Sequence, residues 1–194
     1  MKFKSILAAL LLAFVTSSFA FAKGKALVVY FSRADENVGV GTIEEGNTAV
    51  IAKIIAEKTG ADVFEIVPVK PYPAGLAECK DYAKIEQTEK ARPAYKGDIK
   101  TDGYDTIFLG YPVWFHDLPM LIYTFFSKHN LNGKTILPFC THGGAGSCDT
   151  DKIIAKEIKK ADVKLPLVIK GEIAQNKRSD TERQTVAWLK KNGF

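Results

Sequence analysis

The chain has 194 residues, 46% of them hydrophobic and 25% charged, which is enough apolar material for one globular domain with a sizeable core. Its formal net charge of +5 is not concentrated in a basic run interleaved with aromatics, so nucleic acid is a poor candidate partner. No internal repeat, low-complexity stretch or linker divides it.

At the amino end, Lys2 and Lys4 precede an apolar run over residues 6–15, and small and polar residues fill 16–22. This is the charged, apolar, cleavable pattern of a secretory signal peptide. Ser18-Phe19-Ala20 and Ala20-Phe21-Ala22 both fit the small-x-small cleavage rule, so the mature chain is expected to start at Phe21 or Lys23. The expected division is a signal peptide over 1–22 and one domain over 23–194, exported to a bacterial periplasm or extracellular space. About ten apolar residues are too few to span a bilayer, so no stable membrane insertion is expected after cleavage. Loss of Lys2 and Lys4 lowers the charge from +5 to +3. In an oxidising compartment Cys79, Cys140 and Cys148 allow three single pairings and leave at least one thiol over.

Residues 25–31, KALVVYF, form a continuous apolar run, as in a parallel strand buried on both faces. An irregular stretch over 33–45 follows, with glycines at 39 and 41. Gly46-Asn47-Thr48 opens a helix in which Val50, Ile51, Ile54 and Ile55 keep helical spacing and which Gly60 stops. Residues 62–67 read as the second strand, and Pro68, Pro71 and Pro73 forbid its extension. A surface helix is expected over 74–91, a third strand over 103–110, and over 118–128 a helix apolar nearly all round, either deeply packed or covered by a partner. Residues 135–140 read as strand four. Pro138 cannot donate to the ladder there, so either pairing ends before it or that side of the strand is unpaired. A helix over 149–160 has Ser147 or Asp149 available as a cap. Residues 164–173 form the last strand region, which Pro166 splits. Ser179-x-x-Glu182 reads as a capping box before a closing helix with Val186, Trp188 and Leu189. Strands alternating with helices give a doubly wound α/β domain with a five-stranded parallel sheet and helices on both faces.

In such a sheet, ligands bind at the loops beyond the carboxyl ends of the strands. Three loops qualify. The first, 32–48, ends at a helix N-terminus where free N–H groups, the helix dipole and the side chains of Ser32, Asn47 and Thr48 suit a phosphate; an ordinary capped helix start is the alternative. Its spacing is neither GxxxxGK[ST] nor GxGxxG. The second, 111–117, carries Trp114 with Tyr111, Phe115 and His116, an aromatic group suited to stacking on a heteroaromatic ring or to packing in the core. Asp117, which precedes Leu118-Pro119, reads as an N-cap. The third, THGGAGS over 141–147, lets the backbone approach a planar ligand closely. A phosphate pocket, an aromatic wall and a backbone cradle together describe a site for a mononucleotide-sized aromatic cofactor. No nucleophile–base pair or metal-ligand spacing accompanies them.

The segments YFSR…EEGNTAVIAKIIAEKTGAD, LGYPVWFHDLP and PFCTHGGAGS make the chain resemble the flavodoxin-like family, in particular exported members with a long first loop. The resemblance implies a flavodoxin-like strand order 2-1-3-4-5 and bound FMN. It places Ser32, Arg33, Gly46, Asn47 and Thr48 on the phosphate loop, with residues 33–45 as an insertion between Ser32 and Gly46. It places Pro112, Val113, Trp114 and Phe115 on the ring-stacking loop, and Thr141, His142, Gly143 and Gly144 on the glycine loop. The implied function is electron transfer through non-covalently bound FMN, to an unidentified partner protein or small-molecule acceptor. The alternatives are an NAD(P)H-dependent quinone or flavin oxidoreductase, and a binding module of the same fold without cofactor. His116 and His142 are candidate proton donors or plain loop histidines. Cys140 and Cys148 bracket the glycine loop, which suggests a bracing disulfide; two buried thiols are the other reading, and Cys79 is able to pair with either.

Overall fold

The computed structural model describes residues 25–194; the leader and cleavage sites expected over residues 1–22 lie outside the described residues. In chain order the elements are β1 (Ala26–Tyr30), β2 (Asp35–Asn37), β3 (Gly41–Ile43), α1 (Asn47–Thr59), β4 (Asp62–Glu65) and β5 (Val67–Pro68). There follow α2 (Leu76–Glu89), β6 (Tyr95–Lys96), β7 (Thr106–Pro112), α3 (Met120–Lys128), β8 (Thr135–His142) and α4 (Thr150–Glu157). β9 (Asp162–Val163), β10 (Leu167–Lys170), α5 (Gly171–Asn176) and α6 (Arg178–Lys191) close the chain. The principal strands are parallel in the order β4-β1-β7-β8-β10, which is the 2-1-3-4-5 arrangement expected of a doubly wound sheet. β9 pairs with β8 on the same edge as β10.

Alternation along the strands supplies a core to each face. Leu27, Val29 and Phe31 join a cluster with Leu121, Ile122 and Phe125 of α3 and Ile154 of α4. Val28 and Tyr30 point the other way, to Ile51 and Ile55 of α1, Ala174 of α5 and Trp188 and Leu189 of α6. The strongly apolar α3 is deeply packed: Met120, Leu121, Ile122, Thr124 and Phe125 are all buried.

Pro138 is accommodated on its unpaired side. Odd residues of β8 face β7, since the N–H of Val113 donates to the Thr141 carbonyl, and even residues face β9, since the N–H of Lys164 donates to the Ile136 carbonyl. Pro138 therefore looks into the gap between β9 and β10, while the pairing with β7 runs straight through it opposite Leu109. Pro166 falls in that same gap.

Several boundaries differ from expectation. Residues 33–45 are not irregular but form the hairpin β2–β3. The second strand ends at Glu65, and Val67-Pro68 pairs antiparallel with β6 instead. Residues 171–173 are helical: a Cβ at Gly171 would strike the Asn47 amide, so the chain leaves the sheet there and turns along the start of α1. The capping box at Ser179 does not form. α6 starts at Arg178, the Thr181 hydroxyl bonds the carbonyls of Ile173 and Lys177, and Glu182 is taken by Lys58 at 2.5 Å.

Candidate functional site

β1, β7 and β8 end side by side, so the loops that follow Phe31, Pro112 and His142 meet at one edge of the sheet. In the first loop the insertion closes on itself. A Cβ at Gly46 would collide with the Ser32 hydroxyl and the Arg33 carbonyl, so only glycine lets α1 start against the end of β1. The Ser32 hydroxyl accepts the N–H of Ala49 at 3.0 Å. Gly46 supplies no side-chain cap, and the N–H groups of Asn47 and Thr48 have no acceptor among the described residues. These are free donors at the positive end of a thirteen-residue helix, the arrangement that suits a phosphate.

The rest of the loop is tied elsewhere. Arg33 is 9% exposed, and its guanidinium donates to the carbonyls of Glu36 at 2.6 Å, Pro73 at 2.6 Å and Ala74 at 2.5 Å. The Glu36 carboxylate accepts the Leu76 N–H at 2.8 Å at the start of α2, and the Asn37 amide donates to three carbonyls of its own loop. The hairpin is thus clasped to the segment preceding α2. Its return limb is held by Glu45, whose carboxylate meets Lys53 at 2.5 Å and Arg178 at 3.1 Å.

The second loop is a two-residue hairpin. The N–H and C=O groups of Trp114 and Asp117 pair reciprocally at 3.0 Å, with Phe115 at φ 51° and His116 at φ 63°, a type I′ turn built without glycine. Left-handed backbone at two such residues costs about 1–2 kcal/mol each and is the kind of strain found at functional sites. The turn presents Phe115, 40% exposed, with the Lys84 ammonium 5.1 Å from its ring centre. The Trp114 indole stands edge-on to Phe31 at 5.4 Å and to Tyr72 at 5.0 Å, so it is anchored in the core by its neighbours. The Asp117 carboxylate accepts from the Leu118 N–H and the Tyr123 hydroxyl, both at 2.7 Å; it braces the approach to α3 without being the cap itself.

The third loop begins where β8 ends. Thr141, 2% exposed, meets Thr48, 1% exposed, through their hydroxyls at 2.8 Å, which bolts the glycine loop to the start of α1. The N–H of Gly146 donates to His142 Nδ1 at 3.1 Å, so the ring is held as a neutral acceptor. Burial, and then Lys170, lowers the His142 pKa. All three cysteines are free thiols: Cys79 and Cys140 are buried, burial pushes the Cys140 thiol up to about 12, and the Cys148 thiol points to the Ala145 carbonyl. Of the two readings open for Cys140 and Cys148, the thiols hold, and His142 braces the loop instead of a disulfide.

These loops enclose a cavity of about 470 Å³, within the range of small-molecule sites. Of the residues picked from sequence, Arg33, Asn47, Pro112, Val113, Trp114, Phe115, Thr141, His142 and Gly143 line it. Ser32, Gly46, Thr48 and Gly144 do not; the first three sit behind the wall as supports. Sequence reasoning missed the far wall, made by Asn37 and Val38 of the hairpin and by Leu76, Cys79, Lys80 and Ala83 of α2. The i, i+3, i+4, i+7 spacing of Leu76, Cys79, Lys80 and Ala83 is one helix face, but nothing local says what that face meets. The lining contains Arg33 and Lys80 and no carboxylate. Among the described residues no His, Cys, Asp and Glu cluster could hold a metal ion, and no helix is long and apolar enough to cross a membrane.

Compared with known families, residues 25–191 match the flavodoxin profile. The chain belongs to the flavodoxin family. Flavodoxin folds recur among solved structures similar to it. A provisionally assigned flavoprotein of Bacteroides eggerthii is 28% identical, with 87% of this chain and 97% of that one covered and a TM-score of 0.69. One from Bacteroides uniformis is also 28% identical, with 87% and 99% covered and a TM-score of 0.67. A Lactobacillus acidophilus flavoprotein, solved in complex with FMN, shares the fold at 22% identity, with 80% and 99% covered and a TM-score of 0.58. No curated protein matches significantly. The first loop of this chain forms the clasped hairpin, whose Asn37 and Val38 wall one side of the cavity.

Proposed function

We propose that this flavodoxin binds FMN non-covalently and passes electrons through it. The observation that carries the reading is the cavity at three adjacent strand ends, with unpartnered helix N–H donors at one side and an aromatic wall and glycine loop at the other. FMN, when bound, supplies one- or two-electron redox chemistry. The residues present fit it: the N–H groups of Asn47 and Thr48 would take the phosphate, with Ser32 holding the helix start in place. Trp114 and Phe115 would flank the ring, and the backbone at Gly143 would meet its edge. Thr48–Thr141 keeps the two ends of the site at a fixed separation, and the hairpin excludes water from one side. His142, held neutral, keeps a positive charge away from the glycine loop.

The visible spectrum of the purified protein tests this. Flavin absorption bands, or their appearance on titration of apoprotein with FMN at one equivalent, are expected. No bands and no uptake would leave a binding module of the same fold without cofactor.

A second reading is an NAD(P)H-dependent quinone or flavin oxidoreductase; the cation Lys80 on the far wall, which suits an anionic nucleotide, favours it. Steady-state NAD(P)H oxidation with a quinone separates the two, since a pure carrier shows no turnover. We also propose export, on the pattern in residues 2–22. An amino terminus at Phe21 or Lys23 on protein recovered outside the cytoplasm is the expected result, and an uncut chain inside the cell would refute it.

A further inference from the structure

The β2–β3 hairpin is an arch whose two feet stand on the phosphate pocket. It leaves β1 at Ser32 and Arg33 and returns at Gly46, where a Cβ would strike the Ser32 hydroxyl and the Arg33 carbonyl. Its tip reaches the other end of the cavity: a Cβ built on Gly143 would stand 3.0 Å from Val38 Cγ1 and 3.2 Å from Val38 Cβ. Asn37 and Val38 line the cavity between these points. The arch thus runs from the free N–H donors of α1 to the glycine loop.

Feet and tip are held differently. The clasp of Arg33 and Glu36 fixes one foot to residues 73–76, and the Asn37 amide donates to the carbonyls of Arg33, Ala34 and Asp35 at 3.2, 3.0 and 3.2 Å. The other foot is gripped at Glu45, whose carbonyl accepts the Gln175 amide at 2.6 Å in addition to its two ion pairs. Residues 38–44 make no hydrogen bond or ion pair outside the hairpin among the described residues, and β2 and β3 pair with each other and not with the main sheet. Val38, 42% exposed, joins the tip to the glycine loop. A segment anchored at its feet and held at its tip by an apolar contact opens locally at low cost.

We propose that the hairpin tip is a lid on the cofactor site, with Val38 against Gly143 as its latch. The inference rests on the FMN reading above. Closed, as in this structure, the tip covers the side of the cavity between the phosphate donors and the glycine loop, and FMN enters and leaves when Val38 lifts off Gly143. The clasped feet confine the movement to the tip, so the phosphate pocket keeps its shape while the lid opens. No ion pair or buried hydrogen bond has to break; the latch is as strong as the contact of the Val38 methyl groups. Two half-buried methyl groups are worth roughly a fivefold change in an opening equilibrium. Opening precedes both entry and exit, so a weaker latch speeds both, and the affinity changes by less than either rate.

The test is the rate of FMN uptake and release, followed through the quenching of FMN fluorescence on mixing with apoprotein and its recovery on dilution. Val38→Ala should raise both rate constants about fivefold. Faster release with an unchanged association rate would make Val38 a plain ligand contact and overturn the lid. A second chain, Val38→Cys with Gly143→Cys, allows the latch to be locked, since the 3.2 Å between the two Cβ positions is close to the roughly 3.5–4.5 Å of a disulfide. Oxidised with glutathione disulfide, this chain should take up FMN about tenfold or more slowly than after reduction with dithiothreitol, and FMN bound before oxidation should be retained for correspondingly longer. Equal rates in the two states overturn the proposal. The parent chain should keep its rates through the same oxidation; a loss of equal size there would assign the effect to Cys79, Cys140 or Cys148 and overturn it too. Should the double-cysteine chain not fold, Val38→Ala decides alone. Failure of the parent to bind FMN at all is a different result, which removes the FMN reading itself.

Discussion

The joint between Thr48 and Thr141 joins the phosphate end of the site to the glycine loop through a single 2.8 Å bond between two hydroxyls that are almost fully buried. Neither hydroxyl has another partner among the described hydrogen bonds. Replacing either by valine keeps the shape and strands the other hydroxyl in a dry interior, which costs about 1–3 kcal/mol. Replacing both removes donor and acceptor together and should cost no more than about 1 kcal/mol. Taking about 2 kcal/mol for each single variant, independent sites would give about 4 kcal/mol for the double. The expected double-mutant cycle therefore shows a coupling of roughly 3 kcal/mol, with the double variant more stable than either single one. In a domain of this size, about 2 kcal/mol corresponds to a fall of about 4–8 °C in Tm. Urea unfolding of Thr48→Val, Thr141→Val and the pair, with unchanged m-values, measures it. Additive losses, or single variants as stable as the parent, would show that the hydroxyls are solvated or otherwise satisfied and that the two ends of the site are not bolted together.

Three further outcomes follow from the geometry. His116→Gly should raise stability by about 0.5–1 kcal/mol, because glycine removes the cost of φ 63° and only part of the gain is lost to chain entropy; an unchanged or lower urea midpoint would contradict strain in the turn. Gly143→Ala places a Cβ 3.0 Å from Val38 Cγ1, which pushes the hairpin outward and should weaken FMN binding several-fold. Val38→Ala in the same chain should restore most of it, and a double variant no better than the single would exclude the hairpin as the cause. The folded-state pKa of His142 lies below its unfolded value near 6.5, so the neutral ring stabilises the fold above that pH. That contribution is lost as pH falls through the folded-state pKa, and protonation would also break the bond from Gly146. Stability measured from pH 7.5 down to 4.5 should fall less steeply in His142→Gln than in the parent, while the same slope in both would remove His142 from the account. His129, whose pKa burial also lowers, and carboxylates held below their ordinary range by cations, Glu45 among them, contribute to the slope that remains.

Much of the fold and part of the site could be read from local pattern. The runs at 25–31 and 135–140 are continuous because both faces of those strands are covered, and period-3.6 spacing ended by Gly60 marks α1. Three loops at three strand ends followed from the alternation of elements, and nine of the thirteen chosen residues reach the cavity. The failures are of one kind. A capping box is a local signal, and at Ser179 it lost to longer contacts, from Thr181 to Ile173 and from Glu182 to Lys58. For Cys140 and Cys148, where a disulfide and two thiols were both open, the fold decides for thiols: β8 buries one in the core while the other stays near the surface.

What the sequence determined by itself was the class of sheet, which strand ends carry a site and what chemistry those loops offer, because burial on two faces, helix periodicity and glycine-rich loops are written in adjacent residues. Only the tertiary structure decided where the site ends. Arg33 reaches carbonyls 40 and 41 residues away, Thr48 meets a hydroxyl 93 residues away, and α2 turns an unremarkable polar helix into a wall. A donor's partner across such distances depends on how the layers pack, and no spacing along the chain encodes it.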